Sequence, residues 1–133
     1  IKENTSILLP KEAKFLTAGL DWAGNSGKLI ANLLFKEKAL GQDFTVSTSQ
    51  NLTWGEVADI YTDICGLAFN WVTLEEYFDA NPELKLNDPW RFIYDRLFDR
   101  KIDNSKVLYV TGLNSGDFTP IKDGIKIELS KVL

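Results

Sequence analysis

The sequence predicts an α/β fold that is mainly helical, with about six helices around a small parallel sheet of two or three strands. Thr53 and Thr73 each begin an S/T-x-x-E capping box directly before an amphipathic run. The segments 43–47 and 68–72 are short, rich in β-branched and aromatic residues, and flank the first capped helix, an order that normally gives a parallel pair. The 133 residues, 44% of them hydrophobic, are enough for one domain with a core.

The first 26 residues show no clear period, so we expect an irregular lead-in to a single domain over 1–133, with at most a short strand at 15–17. The glycine-rich stretch 19–28 precedes a helix predicted over 28–38. As a phosphate loop, this stretch has Trp22 where a glycine is needed and Leu29 where Ser or Thr is needed. A plain connection into the helix is therefore favoured over a nucleotide site.

The unit from 43 to 72 is the clearest part of the sequence. The predicted helix begins after Thr53, with Leu52 and Val57 as a hydrophobic staple, and ends at Gly66 in a left-handed cap. Cys65 falls on the apolar face of that helix, which favours a packing role over nucleophilic chemistry.

The C-terminal half continues with short helices. The second capping box predicts a helix over 73–80 that Pro82 ends, and Asp88 followed by Pro89 predicts the start of a helix to Arg100. Its apolar residues at three- and four-residue steps are expected to face inward, while Phe92 falls outside them; they are Trp90, Ile93, Tyr94, Leu97 and Phe98. The charged residues at 91, 95, 96, 99 and 100 then form either a solvated face, which we favour, or a binding face.

Two further helices complete the pattern. One is predicted over 105–111, with Asp103 or Asn104 as its cap and Gly112 at its end, and the last begins at Pro120. In the last helix Gly124 leaves room for close packing.

Composition excludes several classes of function. The net charge of −4 disfavours nucleic acid, the apolar runs are too short for a membrane span, and the absence of histidine removes the usual general base and metal ligand. One cysteine agrees with a cytoplasmic location. Because the chain begins Ile1-Lys2-Glu3 without methionine, we interpret it as a piece of a longer protein.

Three segments in this order resemble the C-terminal part of the extended short-chain dehydrogenases, the NAD-dependent epimerase/dehydratase family, over about residues 27–133. They are the strand and capped-helix segment 39–67, the segment 95–113 that contains Asp103-Asn104-Ser105-Lys106, and the proline-led segment 119–129.

The resemblance implies the substrate-binding lobe of an NAD(P)-dependent epimerase, dehydratase or reductase. NAD or NADP would bind to an N-terminal Rossmann domain, the partner that these residues lack. None of the four tyrosines has lysine four positions on, so no catalytic or cofactor-binding residue is assigned. For a nucleotide-sugar substrate, the resemblance points to Arg96 or Arg100 at the diphosphate. We expect this lobe alone to be inactive, metal-free and monomeric.

A second hypothesis is a non-enzymatic interaction module that docks on a partner through exposed aromatic residues, with Trp22, Trp71 or Trp90 as candidates. Tryptophan is usually mostly buried, so a core position is favoured for each of them.

Overall fold

The computed structural model describes residues 6–87 and 89–132, without the side chains of residues 86 and 87. The predicted fold class is confirmed, because the described residues form an α/β fold with seven helices and a small two-stranded parallel sheet. The elements are β1 (Ile7–Pro10), α1 (Ala23–Leu33), α2 (Trp54–Cys65), β2 (Phe69–Val72), α3 (Leu74–Ala80), α4 (Pro82–Asn87), α5 (Pro89–Arg96), α6 (Ser105–Thr111) and α7 (Ile121–Leu129).

The sheet differs from the prediction in one strand. β2 is parallel to its partner, as expected, but the partner is β1, with Ile7 opposite Phe69 and Pro10 opposite Val72. The lead-in that we expected to be irregular therefore supplies a strand, and the strand predicted over 43–47 does not form.

Side chains take the place of a neighbouring strand along 43–47. Lys106 Nζ donates to the carbonyl oxygen of Asp43 at 2.8 Å, and Asn104 Nδ2 donates to that of Ser47 at 2.8 Å. Because these carbonyl oxygens already have donors, the extended segment does not need a strand partner. The alternation of polar and apolar residues in this segment still predicts which side chains point inward, because Phe44 and Val46 pack on the core.

The chain divides into two compact units, which we call the sheet unit and the helical unit. The sheet unit consists of Ile1–Ala18 and Leu52–Arg100 and contains β1, β2 and α2 to α5. The helical unit consists of Gly19–Asn51 and Lys101–Leu133 and contains α1, α6 and α7.

The helical unit has its own core, in which Leu29 and Val107 are fully buried beside Phe118. α1 begins at Ala23, five residues before the predicted start, so most of the glycine-rich stretch is helical rather than a loop. Gly124 permits the close packing we expected, because a Cβ at that position would lie 2.6 Å from Cγ of Trp22.

The predicted helix ends are confirmed where capping chemistry is strongest. Both capping boxes form, at Thr53 before α2 and at Thr73 before α3. Gly66 ends α2 with φ of 68° and Gly112 ends α6 with φ of 75°, the left-handed region that favours glycine. At α6, Asp103 Oδ1 accepts from the backbone N–H of Ser105 at 2.9 Å, while Asn104 occupies the cap position.

The region around α5 corrects the prediction. Pro82 begins a further helix, α4, rather than only ending α3, and α5 ends at Arg96 instead of Arg100. The cap predicted at Asp88 lies outside the described residues. Trp90, Tyr94 and Phe98, which we expected to face inward, are 64%, 63% and 50% exposed.

Phe92, which we placed outside the apolar stripe, is half-buried, as are Ile93 and Leu97 of the predicted stripe. Phe92 stacks on Tyr77 at a centroid distance of 5.0 Å and meets Phe78 edge-on at 5.7 Å. Aromatic contacts of this kind stabilise beyond simple area burial, and they set the face that α5 turns to its own unit.

Candidate functional site

The sheet unit contains a cavity of about 320 Å³, and every residue that lines it belongs to that unit. The lining is mainly aromatic and aliphatic, with one charged side chain. The lining residues are Leu9, Pro10, Ala13, Trp54, Trp71, Tyr77, Phe92 and Arg96.

Short, well-anchored elements position these side chains. Trp54 is the first residue of α2, directly after the capping Thr53, and its backbone N–H donates to the carbonyl oxygen of Leu16 at 3.0 Å. Gly55 N–H donates to the carbonyl oxygen of Lys14 at 2.9 Å, and a Cβ at Gly55 would lie 3.0 Å from that oxygen. The capping box and these hydrogen bonds therefore fix the backbone from which the Trp54 side chain extends.

One wall of the cavity consists of stacked rings. Tyr77 and Phe92 are nearly parallel, with an interplanar angle of 24°, and Phe78 closes the back of Phe92 with only 8% of its surface exposed. A second aromatic group is contributed by Trp71 on β2. Flat apolar walls of this kind suit a flat apolar ligand group.

Arg96 supplies the charge of the site. Its guanidinium carbon lies 4.9 Å from the centre of the Trp54 ring, a cation–π contact, and its Nε is 3.2 Å from Oδ2 of Asp95. The Arg96 side chain is 40% exposed and also lines the cavity, so its guanidinium lies at the opening. Negatively charged groups entering the cavity would meet it there.

The indole of Trp54 contains an unusual polar atom. Among the described residues, Trp54 Nε1 is the one buried side-chain nitrogen or oxygen without a hydrogen-bond partner. An unpaired buried N–H costs about 1–3 kcal/mol relative to one with an acceptor, so each such group in a native structure needs an explanation.

A second cation lies against the same set of rings. Lys14 follows Ala13 of the lining, and its Nζ is 5.4 Å from the centre of the Trp71 ring. Glu12, on the neighbouring turn, accepts from the backbone N–H of Leu74 at 3.3 Å.

The two arginines named from the sequence occupy different positions. Arg96 lines the cavity, whereas Arg100 is not among the lining residues and contacts Asp95. Arg100 Nη2 donates to the backbone carbonyl oxygen of Asp95 and lies 3.2 Å from its Oδ1. The two guanidiniums thus share one carboxylate and do not converge on the cavity.

The three tryptophans named from the sequence also occupy different positions. Trp71 lines the cavity, and Trp22 packs in the helical unit, where its Nε1 donates to Glu128 Oε1 at 3.0 Å. Trp90 is the exposed one. Trp54 and Phe92 were not predicted as lining residues, although the capping box does predict that Trp54 begins a helix.

The lining is suited to binding more than to chemistry. The described lining residues include no carboxylate and no thiol, the groups that most often act as acid, base or nucleophile. Within residues 6–87 and 89–132 no group of three metal-ligating side chains occurs, and no helix is long and apolar enough to cross a membrane. Cys65 is half-buried, and its thiol donates to the carbonyl oxygen of Tyr61 at 3.1 Å.

No protein-family model, curated protein or solved structure matches this chain.

Proposed function

We propose that this chain is the substrate-binding lobe of an NAD(P)-dependent epimerase, dehydratase or reductase, and that the cavity of the sheet unit holds the substrate or part of it. The observation that carries the proposal is the cavity, a concave space of about 320 Å³ with aromatic walls and a guanidinium at its opening. Concave, mostly apolar spaces with a few polar groups are the usual form of small-molecule sites.

The size of the cavity supports a small ligand. Pockets for small molecules have volumes of about 300 to 1,000 Å³, and this cavity is at the lower end of that range. It suits a compact molecule or one ring of a larger substrate. A nucleotide sugar is one candidate, with its anionic part at Arg96.

The chemistry of the lining supports a binding role within a larger enzyme. The lining lacks the acid, base and nucleophile that a complete active site needs, and the sequence lacks a Tyr-x-x-x-Lys pair. In this proposal NAD or NADP and the reacting groups belong to a Rossmann domain outside these 133 residues, and that domain is the partner of this lobe. We propose a cytoplasmic location, which the single cysteine favours.

A second candidate function is the docking of a protein partner. The observation that favours it is the row of exposed rings on one side of α5, where Trp90, Tyr94 and Phe98 lie 6.4 Å and 5.3 Å apart by ring centroid. Neighbouring exposed apolar side chains are typical of interaction surfaces. We favour the cavity because it combines shape, apolar walls and a charge in one place.

A thermal-shift screen tests the proposed function. The purified chain is heated with a library of small molecules that includes sugars, sugar phosphates, uridine and thymidine diphosphate sugars, and aromatic acids. We expect several compounds to raise the melting temperature at millimolar concentration, because a ligand that binds only the folded state stabilises it.

Two alanine variants locate the site of any stabilisation. Ala13 lines the cavity, so the extra carbon atoms of Ala13→Leu reduce the cavity volume, whereas Ala80→Leu adds the same atoms at an exposed position at the end of α3. We expect stabilisation to be lost in Ala13→Leu and kept in Ala80→Leu, with circular dichroism showing that both are folded. No stabilising compound, or stabilisation equal in both variants, would contradict the proposed function.

A further inference from the structure

We infer that the cavity of the sheet unit selects a small organic monoanion with a flat ring, the ring lying against the aromatic walls and the anionic group at Arg96. The inference rests on the proposed function, because it names the class of ligand for the same cavity.

The charge at the opening favours an anion. Asp95 contacts both Arg96 and Arg100, so these three side chains together have one excess positive charge. Lys14 adds a second cation against a lining ring. A guanidinium binds a carboxylate or a single phosphate by two parallel hydrogen bonds, which a neutral ligand cannot match.

The charge also limits the ligand to a single negative group. The diphosphate of a nucleotide sugar pairs best with two cations, but Arg96 is the one cation among the described lining residues, since neither Lys14 nor Arg100 lines the cavity. The volume of about 320 Å³ points the same way, because it suits one ring and a short acidic arm.

The walls favour a flat ring over a flexible chain. Tyr77 and Phe92 present stacked rings, and Trp54 and Trp71 contribute two more aromatic surfaces to the same cavity. Aromatic rings pair through offset stacking or edge contacts, so a planar ligand group finds partners in either orientation.

Calorimetry with matched probes tests the inference. Phenylacetate has the ring and the charge, phenylacetamide has the ring without the charge, and propionate has the charge without the ring. We expect phenylacetate to bind at least about tenfold more tightly than either of the other two, with the preference over the amide falling as salt is raised because the Arg96 side chain is partly exposed.

Three variants assign the preference to its residues. Arg96→Gln should bind phenylacetate and phenylacetamide within about twofold of each other, whereas Arg100→Gln, which removes the same charge outside the lining and leaves the Arg96 guanidinium in place, should keep a larger preference than Arg96→Gln. Arg96→Lys keeps the positive charge but cannot form two parallel hydrogen bonds to one anionic group, so it should keep part of the preference for phenylacetate over phenylacetamide. This variant tests the inference even if Arg96→Gln does not fold.

Several results would overturn the inference. They are equal affinity for phenylacetate and phenylacetamide in the unaltered chain, an unchanged preference in Arg96→Gln, or no binding of phenylacetate at millimolar concentration. If neutral compounds stabilise the chain and the effect is lost in Ala13→Leu, the proposed function stands and only the preference for an anion is wrong. If no compound stabilises the chain, the proposed function itself fails.

Discussion

At the scale of single residues, the side chains that cap helices explain much of the sheet unit. Thr53 N–H donates to Glu56 Oε2 at 2.7 Å, and Glu56 N–H donates to Thr53 Oγ1 at 3.2 Å, so two backbone donors at the start of α2 are satisfied reciprocally. Trp54 follows at once, and the same box thus holds a wall of the cavity.

We predict that Thr53→Ala lowers the free energy of unfolding by about 1 kcal/mol, because a backbone N–H at the helix start loses its acceptor. Urea denaturation measures the change. Thr45→Ala, at an exposed threonine outside the helices and strands, serves as the control and should change stability by less than about 0.5 kcal/mol. Equal effects of the two substitutions would mean that the box does not stabilise α2.

Stability should fall in acid through Glu56 and Glu76. The backbone N–H of Thr53 lowers the pKa of Glu56 below its ordinary value of 4.5, and that of Thr73 lowers the pKa of Glu76. A carboxyl with a lower pKa in the folded state stabilises the fold above its unfolded pKa, and this contribution is lost as the pH falls through the folded pKa.

The comparison of Glu56→Gln with the unaltered chain checks this pH dependence. Glutamine keeps the capping hydrogen bond but does not titrate. We therefore expect the variant to lose less stability than the unaltered chain between pH 6 and pH 3 in urea denaturation. An identical loss in both proteins would exclude Glu56 as a source of the acid sensitivity.

At the scale of elements, local chemistry was predictable and tertiary pairing was not. The boxes at Thr53 and Thr73 and the glycines at 66 and 112 define helix ends through interactions a few residues apart, and these predictions are confirmed. The prediction of a strand at 43–47 was wrong, because residues far along the chain, such as Lys106, donate hydrogen bonds to the backbone carbonyl oxygens of this segment. Pattern alone does not contain that information.

The prediction of which face of α5 points inward was wrong in part, for a related reason. Two apolar stripes are available on this helix, and the choice between them depends on Tyr77 and Phe78, which Phe92 contacts in the folded unit. Arg96 lies one helical turn after Phe92 and so reaches the same cavity. The sequence analysis named Arg96 from a resemblance, but it did not predict the aromatic walls around it.

Two glycine substitutions test the packing of the helical unit. Gly124→Ala should destabilise by about 1–3 kcal/mol, because the new methyl group would lie 2.6 Å from Trp22 Cγ. Gly27→Ala meets nothing within 4 Å and lies inside α1, so it should be neutral or stabilise by up to about 1 kcal/mol. Thermal denaturation compares the two, and a neutral Gly124→Ala would contradict the close contact.

At the scale of the whole molecule, we propose that this lobe binds the substrate and that a separate domain binds the cofactor. Hydride transfer needs a bound nicotinamide ring and a proton-transferring group near the substrate, and the sequence has no G-x-x-G-x-x-G and no Tyr-x-x-x-Lys. In this proposal these residues supply the site for a small ligand.

We predict that this chain alone binds neither NAD nor NADP and catalyses no turnover. Isothermal calorimetry with each cofactor checks the prediction, with phenylacetate as the positive control for an intact cavity. Micromolar affinity for either cofactor would contradict the division of work, because it would require a phosphate-binding loop within these residues.

The central claim is that the cavity of the sheet unit is the ligand site, and the four tryptophans report on it directly. Their indole N–H signals are followed by ¹⁵N NMR, after assignment by Trp→Phe substitution, while phenylacetate and phenylacetamide are added in turn. Trp54 and Trp71 line the cavity, Trp90 is exposed on α5, and Trp22 packs in the helical unit. We predict that at least one probe shifts the Trp54 and Trp71 signals in a saturable way and leaves those of Trp22 and Trp90 in place. A shift confined to Trp90, or no saturable shift with either probe, would contradict the account.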